Sequence, residues 1–258
     1  MINIALIGAS GKMGVHITKL ISQKPQLYKL ALAVVNQLAI VNELVKQTAE
    51  VVSTDHTLLK DVDVVIDFSS PTSTMLTLKH CLHQQIPLVV GTTGFSQSEI
   101  NSITEASKHI PILMSPNMSL GVNMIFKLTE LVAKKLPTFE TEIIEAHHRY
   151  KKDAPSGTAI KLGQIIANAR NIDFEQHAKY TRHGVNESRS TQDIGFSVIR
   201  GGNITGSHDV LFIDNDEKLT ISVEVNNRDS YASGSLTAAV FLAKQKPGLY
   251  NMLDILDL

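Results

Sequence analysis

Residues 145–159 gather side chains that can hold anions and move protons. They read Glu145-Ala146-His147-His148-Arg149-Tyr150-Lys151-Lys152-Asp153-Ala154-Pro155-Ser156-Gly157-Thr158-Ala159, with two imidazoles and three fixed cations between His147 and Lys152. Ser156 is placed to cap a following helix, which leaves the N–H groups of Gly157 and Thr158 facing an anion. That combination suits a substrate carrying carboxylates. Helix N–H groups hold one, nearby cations neutralise another, and an imidazole or ammonium remains to deliver a proton. A solvated charged loop before an ordinary capped helix has the same composition, and the string alone leaves both readings open.

A second motif points to binding. Gly8-Ala9-Ser10-Gly11-Lys12-Met13-Gly14 follows an apolar run and opens an amphipathic one. Residues without Cβ allow a tight strand-to-helix turn and close approach of a ligand, and the N–H groups of the helix start attract a pyrophosphate. The spacing is GxxGxxG, a variant of the commoner GxGxxG dinucleotide fingerprint. Three further segments fall after apolar runs, where an open α/β sheet binds ligands: Asp67-Phe68-Ser69-Ser70, Gly91-Thr92-Thr93-Gly94 and Ser115-Pro116-Asn117. Each alone also reads as a plain turn, but together with the first turn they outline one crevice.

Other candidates carry less. Cys81 lies among Leu78 and Leu82 on a helical pattern and reads as a small buried hydrophobe. The histidines outside the basic segment show no HxxxH or Cys/His ligand spacing, so no metal site is assigned. Arg200-Gly201-Gly202 reads either as a hairpin turn or as part of a site, and Arg228 either as a surface cation or as a functional one.

The elements that must position these groups change character midway. Short apolar runs at Ile2 to Ile7, Lys29 to Val35, Val62 to Phe68, Leu88 to Val90 and Ile110 to Met114 alternate with helical spacing at Lys12 to Gln23, Leu38 to Ala49, Pro71 to His83 and Ser96 to Lys108. This is the pattern of βαβ units winding a parallel sheet. After Pro116-Asn117 a long helix, Leu120 to Leu136, precedes a strand from Glu140 to Ala146. A helix from Gly157 to Ala169 then leads to strands at Ile194 to Ile199, His208 to Ile213 and Leu219 to Val225. Consecutive strands without intervening helices favour a mixed or antiparallel sheet. The expected division is residues 1–117, 118–228, and a segment 229–258, containing a helix from Tyr231 to Lys244, that returns to the first domain.

Composition narrows the class. With 258 residues, 43% of them apolar and 19% charged, the chain can bury a full core. A formal net charge of −1 supplies no global basic field for nucleic acid. No apolar run reaches the ~20 residues that span a bilayer. A single cysteine makes no internal disulfide, and the first residues lack a secretory pattern, so the cytoplasm is the expected compartment.

The chain resembles the bacterial 4-hydroxy-tetrahydrodipicolinate reductase (dihydrodipicolinate reductase) family of the diaminopimelate and lysine pathway, over nearly its whole length. Glu145 to Lys151, continuing through Asp153 to Ala159, is the specific match. Supporting matches are the GxxGxxG turn, Gly91-Thr92-Thr93-Gly94-Phe95, Asn117-Met118-Ser119-Leu120-Gly121-Val122-Asn123 and the closing Leu253-Asp254-Ile255-Leu256-Asp257-Leu258. The resemblance implies an α/β fold, with a Rossmann-like doubly wound parallel sheet forming the dinucleotide-binding domain. A second α+β domain with a mixed sheet would bind substrate and build a homotetramer.

The activity it implies is reduction of a cyclic dicarboxylate whose imine is conjugated to a C=C bond, with NADH or NADPH as cofactor. His147 would donate or accept a proton and Lys151 would be a second donor. His148 would contact substrate, and Gly157 and Thr158 would bind a carboxylate. Cofactor contacts would come from Gly8, Ala9, Ser10, Gly11, Lys12 and Met13, from Gly91, Thr92 and Thr93, and from Ser115, Pro116, Asn117 and Met118. Members of the family often carry an acidic residue, sometimes followed by arginine, at the end of the second strand; here Val35-Asn36 stand there. No carboxylate is then present to repel a 2′-phosphate, and Lys12 can approach one, so NADPH should serve at least as well as NADH. A semialdehyde dehydrogenase would need an activated cysteine, which Cys81 does not offer. A non-catalytic NAD(P)-sensing protein is the alternative that the fold permits, and the basic histidine segment speaks against it.

Overall fold

The computed structural model describes residues 1–184 and 187–257, and the chain divides into two compact units, residues 1–120 with 228–258 and residues 121–227. Leu258, the last residue of the closing motif, lies outside the described residues.

The first unit is built on a parallel sheet. Its elements in order are β1 (Ile2–Ile7), α1 (Lys12–Gln23), β2 (Tyr28–Val34), α2 (Glu43–Thr48), β3 (Val51–Ser53), β4 (Val64–Asp67), α3 (Pro71–Gln84), β5 (Leu88–Val90), α4 (Gln97–Ala106) and β6 (Pro111–Met114). The strands lie in the order β6-β5-β4-β1-β2-β3, so the winding direction reverses at β1. Ligand crevices form at such a reversal, outside the carboxyl ends of the strands. The central strands are apolar on both faces, Val64, Val65 and Ile66 being fully buried, because helices cover both sides. On one face, Ile17 and Ile21 of α1 join a core with Ile4, Leu6 and Ile66; on the other, Leu78, Cys81 and Ile103 pack on Ala5, Val65 and Leu88.

The intervening elements of the second unit are α5 (Leu120–Lys135), β7 (Glu140–His147), α6 (Gly157–Arg170), α7 (Phe174–His177), β8 (Ala178–Lys179), β9 (Ile194–Arg200), β10 (Gly206–Ile213) and β11 (Lys218–Val225). They form a mixed sheet in the order β11-β10-β7-β9-β8, with β7 parallel to β9 and antiparallel to β10. Residues 143, 210 and 212 point into a core with Leu162 and Ile166 of α6 and Ile125 of α5.

The chain then re-enters the first unit as α8 (Asp229–Leu242), β12 (Gly248–Tyr250) and α9 (Met252–Ile255). Strand β12 extends the sheet by pairing parallel to β6, with Leu249 beside Ile112. Helix α8 packs on α1, where the Asp229 carboxylate takes His16 Nδ1 at 2.6 Å and Lys19 Nζ at 3.0 Å. Among the described residues no helix is long and apolar enough to cross a membrane.

Two local expectations fail for identifiable reasons. The stretch from Leu38 to Ala49 is not one helix: a single 3-10 turn ends at Ile40, Val41 and Asn42 are extended, and the Asn42 side chain accepts from Leu44 N–H to start α2 afresh. Arg200-Gly201-Gly202 is not a hairpin, because β9 and β10 are not neighbours; β7 lies between them and pairs with both.

Candidate functional site

The glycine turn of the first unit is shaped by the loop beside it. Gly8 has φ +77°, and a Cβ there would stand 2.4 Å from the Phe68 carbonyl oxygen. Gly91, after β5, lacks the Cβ that would collide at 2.3 Å with the Phe68 ring. The loop after β4 is therefore wedged between the turns that follow its two neighbouring strands. It is tied down by Asp67, whose Oδ1 accepts from Ser69 N–H at 2.9 Å, Ser69 Oγ at 2.5 Å and Thr92 Oγ1 at 3.1 Å. Burial pushes the Asp67 carboxyl up from the ordinary range, and its Oδ2 has no partner.

Around this wedge lie the cofactor-binding residues read from the sequence. Gly11 begins α1 without any side-chain cap and no acidic residue stands in the first turn, so the helix start faces outward with its N–H groups uncompensated. Among the described residues no protein acceptor takes the N–H of Lys12 or Met13. Ser115 continues the carboxyl end of β6, and its Oγ donates to the Asn117 carbonyl at 2.8 Å. Ala9 is buried, and Met118 is only 2% exposed, with its carbonyl packed against Gly234 of the helix that returns to this unit. A cavity of roughly 780 Å³ runs along the carboxyl side of β2, lined by Val35, Asn36, Thr54, His56 and Lys79. An uncapped helix start beside a glycine cradle, with a roomy cavity at the end of β2, fits a dinucleotide: pyrophosphate on the first turn and adenosine ribose by Asn36.

The second unit carries the basic histidine segment at the end of β7. Strand alternation sends Glu145 and His147 to the core-facing side, while His208 on β10 stands directly opposite Glu145. Arg200 ends β9 beside His147. The Glu145 carboxylate, 1% exposed, accepts four hydrogen bonds: from Arg200 Nη1 and Nη2 at 2.8 Å each, from His147 Nδ1 at 2.7 Å and from Ser156 N–H at 2.9 Å. Burial alone would raise this carboxyl, but Arg200, His147 and the Ser156 amide outweigh it and hold it below the usual range.

Lys151 pairs with Asp153 at 2.9 Å, and Arg200 Nη2 holds the Asp153 carbonyl at 2.7 Å. Ser156 caps α6, its Oγ accepting from Ala159 N–H at 3.2 Å, and also meets His208 Nε2 at 2.9 Å. The cap reaches only Ala159, so among the described residues the N–H groups of Gly157 and Thr158 have no protein acceptor. His148 Nδ1 is buried without a partner.

The structure thus brings His147, Lys151, Gly157 and Thr158 into one neighbourhood of the second unit, and the glycine turn, Gly91 to Thr93 and Ser115 to Asn117 to adjacent strand ends of the first. Sequence reasoning left Arg200 open between a turn and a site and missed His208 as a member of the former group. The only signal for Arg200 was its charge at the end of a strand; its partner depends on which strands are neighbours. Cys81 is buried, and burial together with the nearby Asp67 pushes its thiol up, leaving no activated nucleophile.

Comparison with known proteins covers both units. The family described as "Dihydrodipicolinate reductase, N-terminus" matches residues 2–118, and "Dihydrodipicolinate reductase, C-terminus" matches residues 121–256. A 4-hydroxy-tetrahydrodipicolinate reductase from Nitrosomonas eutropha is 41% identical over 265 residues, covering 100% of this chain and 99% of that protein. Its counterpart from Nitrosomonas europaea is 41% identical over 268 residues, covering 100% and 98%. The solved structure of a dipicolinate-bound dihydrodipicolinate reductase from Paenisporosarcina sp. TG-14 superposes with a TM-score of 0.80 at 25% identity, covering 97% of each chain.

Proposed function

The chain belongs to the dihydrodipicolinate reductase family, and from this premise we infer that it is an oxidoreductase reducing 4-hydroxy-tetrahydrodipicolinate (dihydrodipicolinate) to tetrahydrodipicolinate in diaminopimelate and lysine biosynthesis. Its cofactor is NADH or NADPH, which supplies the hydride when bound. The chain's own task is to bind a small cyclic dicarboxylate, orient it and provide the proton.

The observation that carries this reading is the pairing, in one neighbourhood, of an anion-ready helix start with a polarised imidazole. Gly157 and Thr158 present two uncompensated N–H groups, which suit one substrate carboxylate. His147, 12% exposed at its side chain and bound through Nδ1, keeps Nε2 available to protonate the substrate atom that gains electron density. Lys151 is the second proton donor, held ready by Asp153, and His148 contributes a substrate contact. In the first unit, Gly8 to Met13, Gly91 to Thr93 and Ser115 to Met118 hold the cofactor, the pyrophosphate on the first turn of α1. Residues 1–117 with 229–258 serve as the dinucleotide-binding domain and residues 118–228 as the substrate-binding and oligomerisation domain.

The finer proposal is a cytoplasmic homotetramer. The sheet face opposite α5 and α6 carries Ile144, Ile199, Leu211 and Ile213, none of which belongs to the second unit's buried core, and supports association through that sheet. Light scattering after size exclusion tests it. The activity is tested by following nicotinamide absorbance with the cyclic substrate generated in situ. Tight cofactor binding without turnover would instead establish the NAD(P)-sensing alternative.

A further inference from the structure

Glu145 is surrounded by donors alone. Two guanidinium N–H groups, one backbone N–H and one imidazole nitrogen converge on its two oxygens, all within 2.9 Å. A carboxylate is the one natural side chain that accepts all four, because an amide in its place must turn an N–H toward a donor. The ionised carboxylate gives nothing back, so His147 Nδ1 must be the proton-bearing nitrogen of that contact. The other ring nitrogen is then fixed by elimination: Nε2 carries the lone pair of the neutral ring and the exchangeable proton of the charged one. Among the described residues no protein atom bonds Nε2. Gly206 leaves room beside it, since a Cβ there would lie 3.1 Å from Nε2.

The same arginine reaches further. Arg200 donates to the Asp153 carbonyl, and Asp153 holds Lys151 Nζ. One guanidinium therefore anchors the partners of both proton-bearing side chains. Stability does not call for it, because a buried ion pair contributes little compared with apolar packing of similar volume.

We propose that Glu145, clamped by Arg200, is a positioning residue that fixes the tautomer of His147, so that Nε2 is the atom exchanging a proton with the substrate. This rests on the reading of His147 as the proton-transfer group. Glu145 does not touch substrate; it acts through the imidazole, as the orienting carboxylate does in other acid–base sites.

The test combines a mutant cycle with a spectroscopic signature, on the full-length protein. Glu145→Gln should lower kcat roughly 10- to 100-fold, less than the ~10²–10⁴-fold that loss of the acid itself would cost, while KM for the cyclic dicarboxylate and the Kd for NADPH change less than about twofold. The double variant Glu145→Gln/His147→Gln should lose far less relative to His147→Gln than Glu145→Gln loses relative to the unmodified protein, because with the imidazole gone only the route through Arg200 and Asp153 to Lys151 remains. Solid-state ¹⁵N NMR of histidine-labelled protein, with His147→Gln identifying the resonances, should show a single Nδ1–H tautomer for the neutral ring and a mixture in Glu145→Gln.

Full kcat and an unchanged tautomer in Glu145→Gln, with His147→Gln slow, would overturn the proposal and leave the reading of His147 standing. An unimpaired His147→Gln would overturn both. Should Glu145→Gln fail to fold, Gly206→Val decides: its side chain occupies the space beside Nε2 and should depress kcat at least tenfold with cofactor Kd unchanged, and normal kcat there would exclude Nε2 as the exchanging atom.

Discussion

The ring of His208 meets that of His147 edge-on, with centroids 5.2 Å apart and planes inclined at 75°. Burial, reinforced by the His147 charge and by Lys151 and opposed by Glu145 and Asp209, pushes His208 from its ordinary 6.5 down to about 4. Ser156 Oγ bonds its Nε2, while Nδ1 has no partner, so the folded site has no provision for a second ring proton. The neutral ring keeps a second positive charge away from His147.

That relationship sets a pH window for stability. Between pH 6.5 and about 4 the unfolded chain protonates His208 while the folded chain does not, so stability is full above the window and falls as pH drops through it. The loss should approach about 3 kcal/mol. Urea unfolding from pH 7.5 to 4.5 should show it, and His208→Gln should flatten this part of the profile. A slope unchanged in the variant would exclude His208 as the source.

His147→Gln and Lys151→Met should each lower kcat about 10²-fold or more while moving cofactor Kd by less than about twofold. Steady-state kinetics beside cofactor titration checks this. Near wild-type kcat in both variants would remove the proton-transfer roles.

Gly157→Pro isolates the helix-start contact. Ser156 already has ψ 154°, which a following proline favours, and nothing lies within 4 Å of a Cβ at Gly157. The ring deletes one N–H without unsettling α6, so KM for the dicarboxylate should rise about tenfold, the value of one charge-assisted hydrogen bond. Equal losses for substrate and cofactor would indicate a disturbed fold instead.

Asp67→Asn keeps an Oδ1 for Ser69 and Thr92 and removes a carboxyl whose folded value is raised by burial. Between the ordinary carboxylate range and that raised value the folded chain holds the extra proton, so the native carboxyl costs stability as pH rises. The Tm advantage of Asp67→Asn should therefore be larger at pH 8 than at pH 5. Differential scanning calorimetry reads it, and a gain that shrinks with pH refutes the assignment.

NADPH should be used at least as well as NADH. Val35 and Asn36 end β2 without a carboxylate, Lys12 lies in the glycine turn, and the adjoining cavity is lined by Lys79 and by Glu99, whose carboxylate is tied back to Ser96. Two exposed lysines give a lean rather than strict selection, about 0.2–1 kcal/mol each. The ratio of kcat/KM values at matched ionic strength decides it. A clear NADH preference that persists in Lys12→Ala and Lys79→Ala would end the argument.

Most local elements were legible because their signals are local. The glycine turn, the Pro71 start of α3 and the Ser156 cap each act within a few residues, and apolar runs such as Val64 to Ile66 announce strands covered on both faces. Val51–Ser53 and Gly248–Tyr250 were not found: Leu88–Val90 is as short but is an entirely apolar, buried run, whereas these two are mixed and partly exposed edge segments that owe their conformation to a neighbouring strand. The same limit hid half of the imidazole site. His147 and Lys151 stand in one string with Glu145, but Arg200 and His208 reach it only because β7 is inserted between β9 and β10, a fact of strand order that no local pattern encodes.

The return of β12 to β6 carries a consequence for synthesis. On a ribosome β6 emerges early, yet the strand that covers its outer edge follows only after all of residues 121–227 have been made. At about 5–20 residues per second, that edge stays bare for roughly ten seconds. Throughout that interval the nascent first sheet presents unpaired backbone groups to any neighbouring chain. The contiguous second unit can meanwhile finish folding, so translation order makes the insert complete before the sheet that flanks it, and the last strand acts as the closing stave of a structure begun at the first.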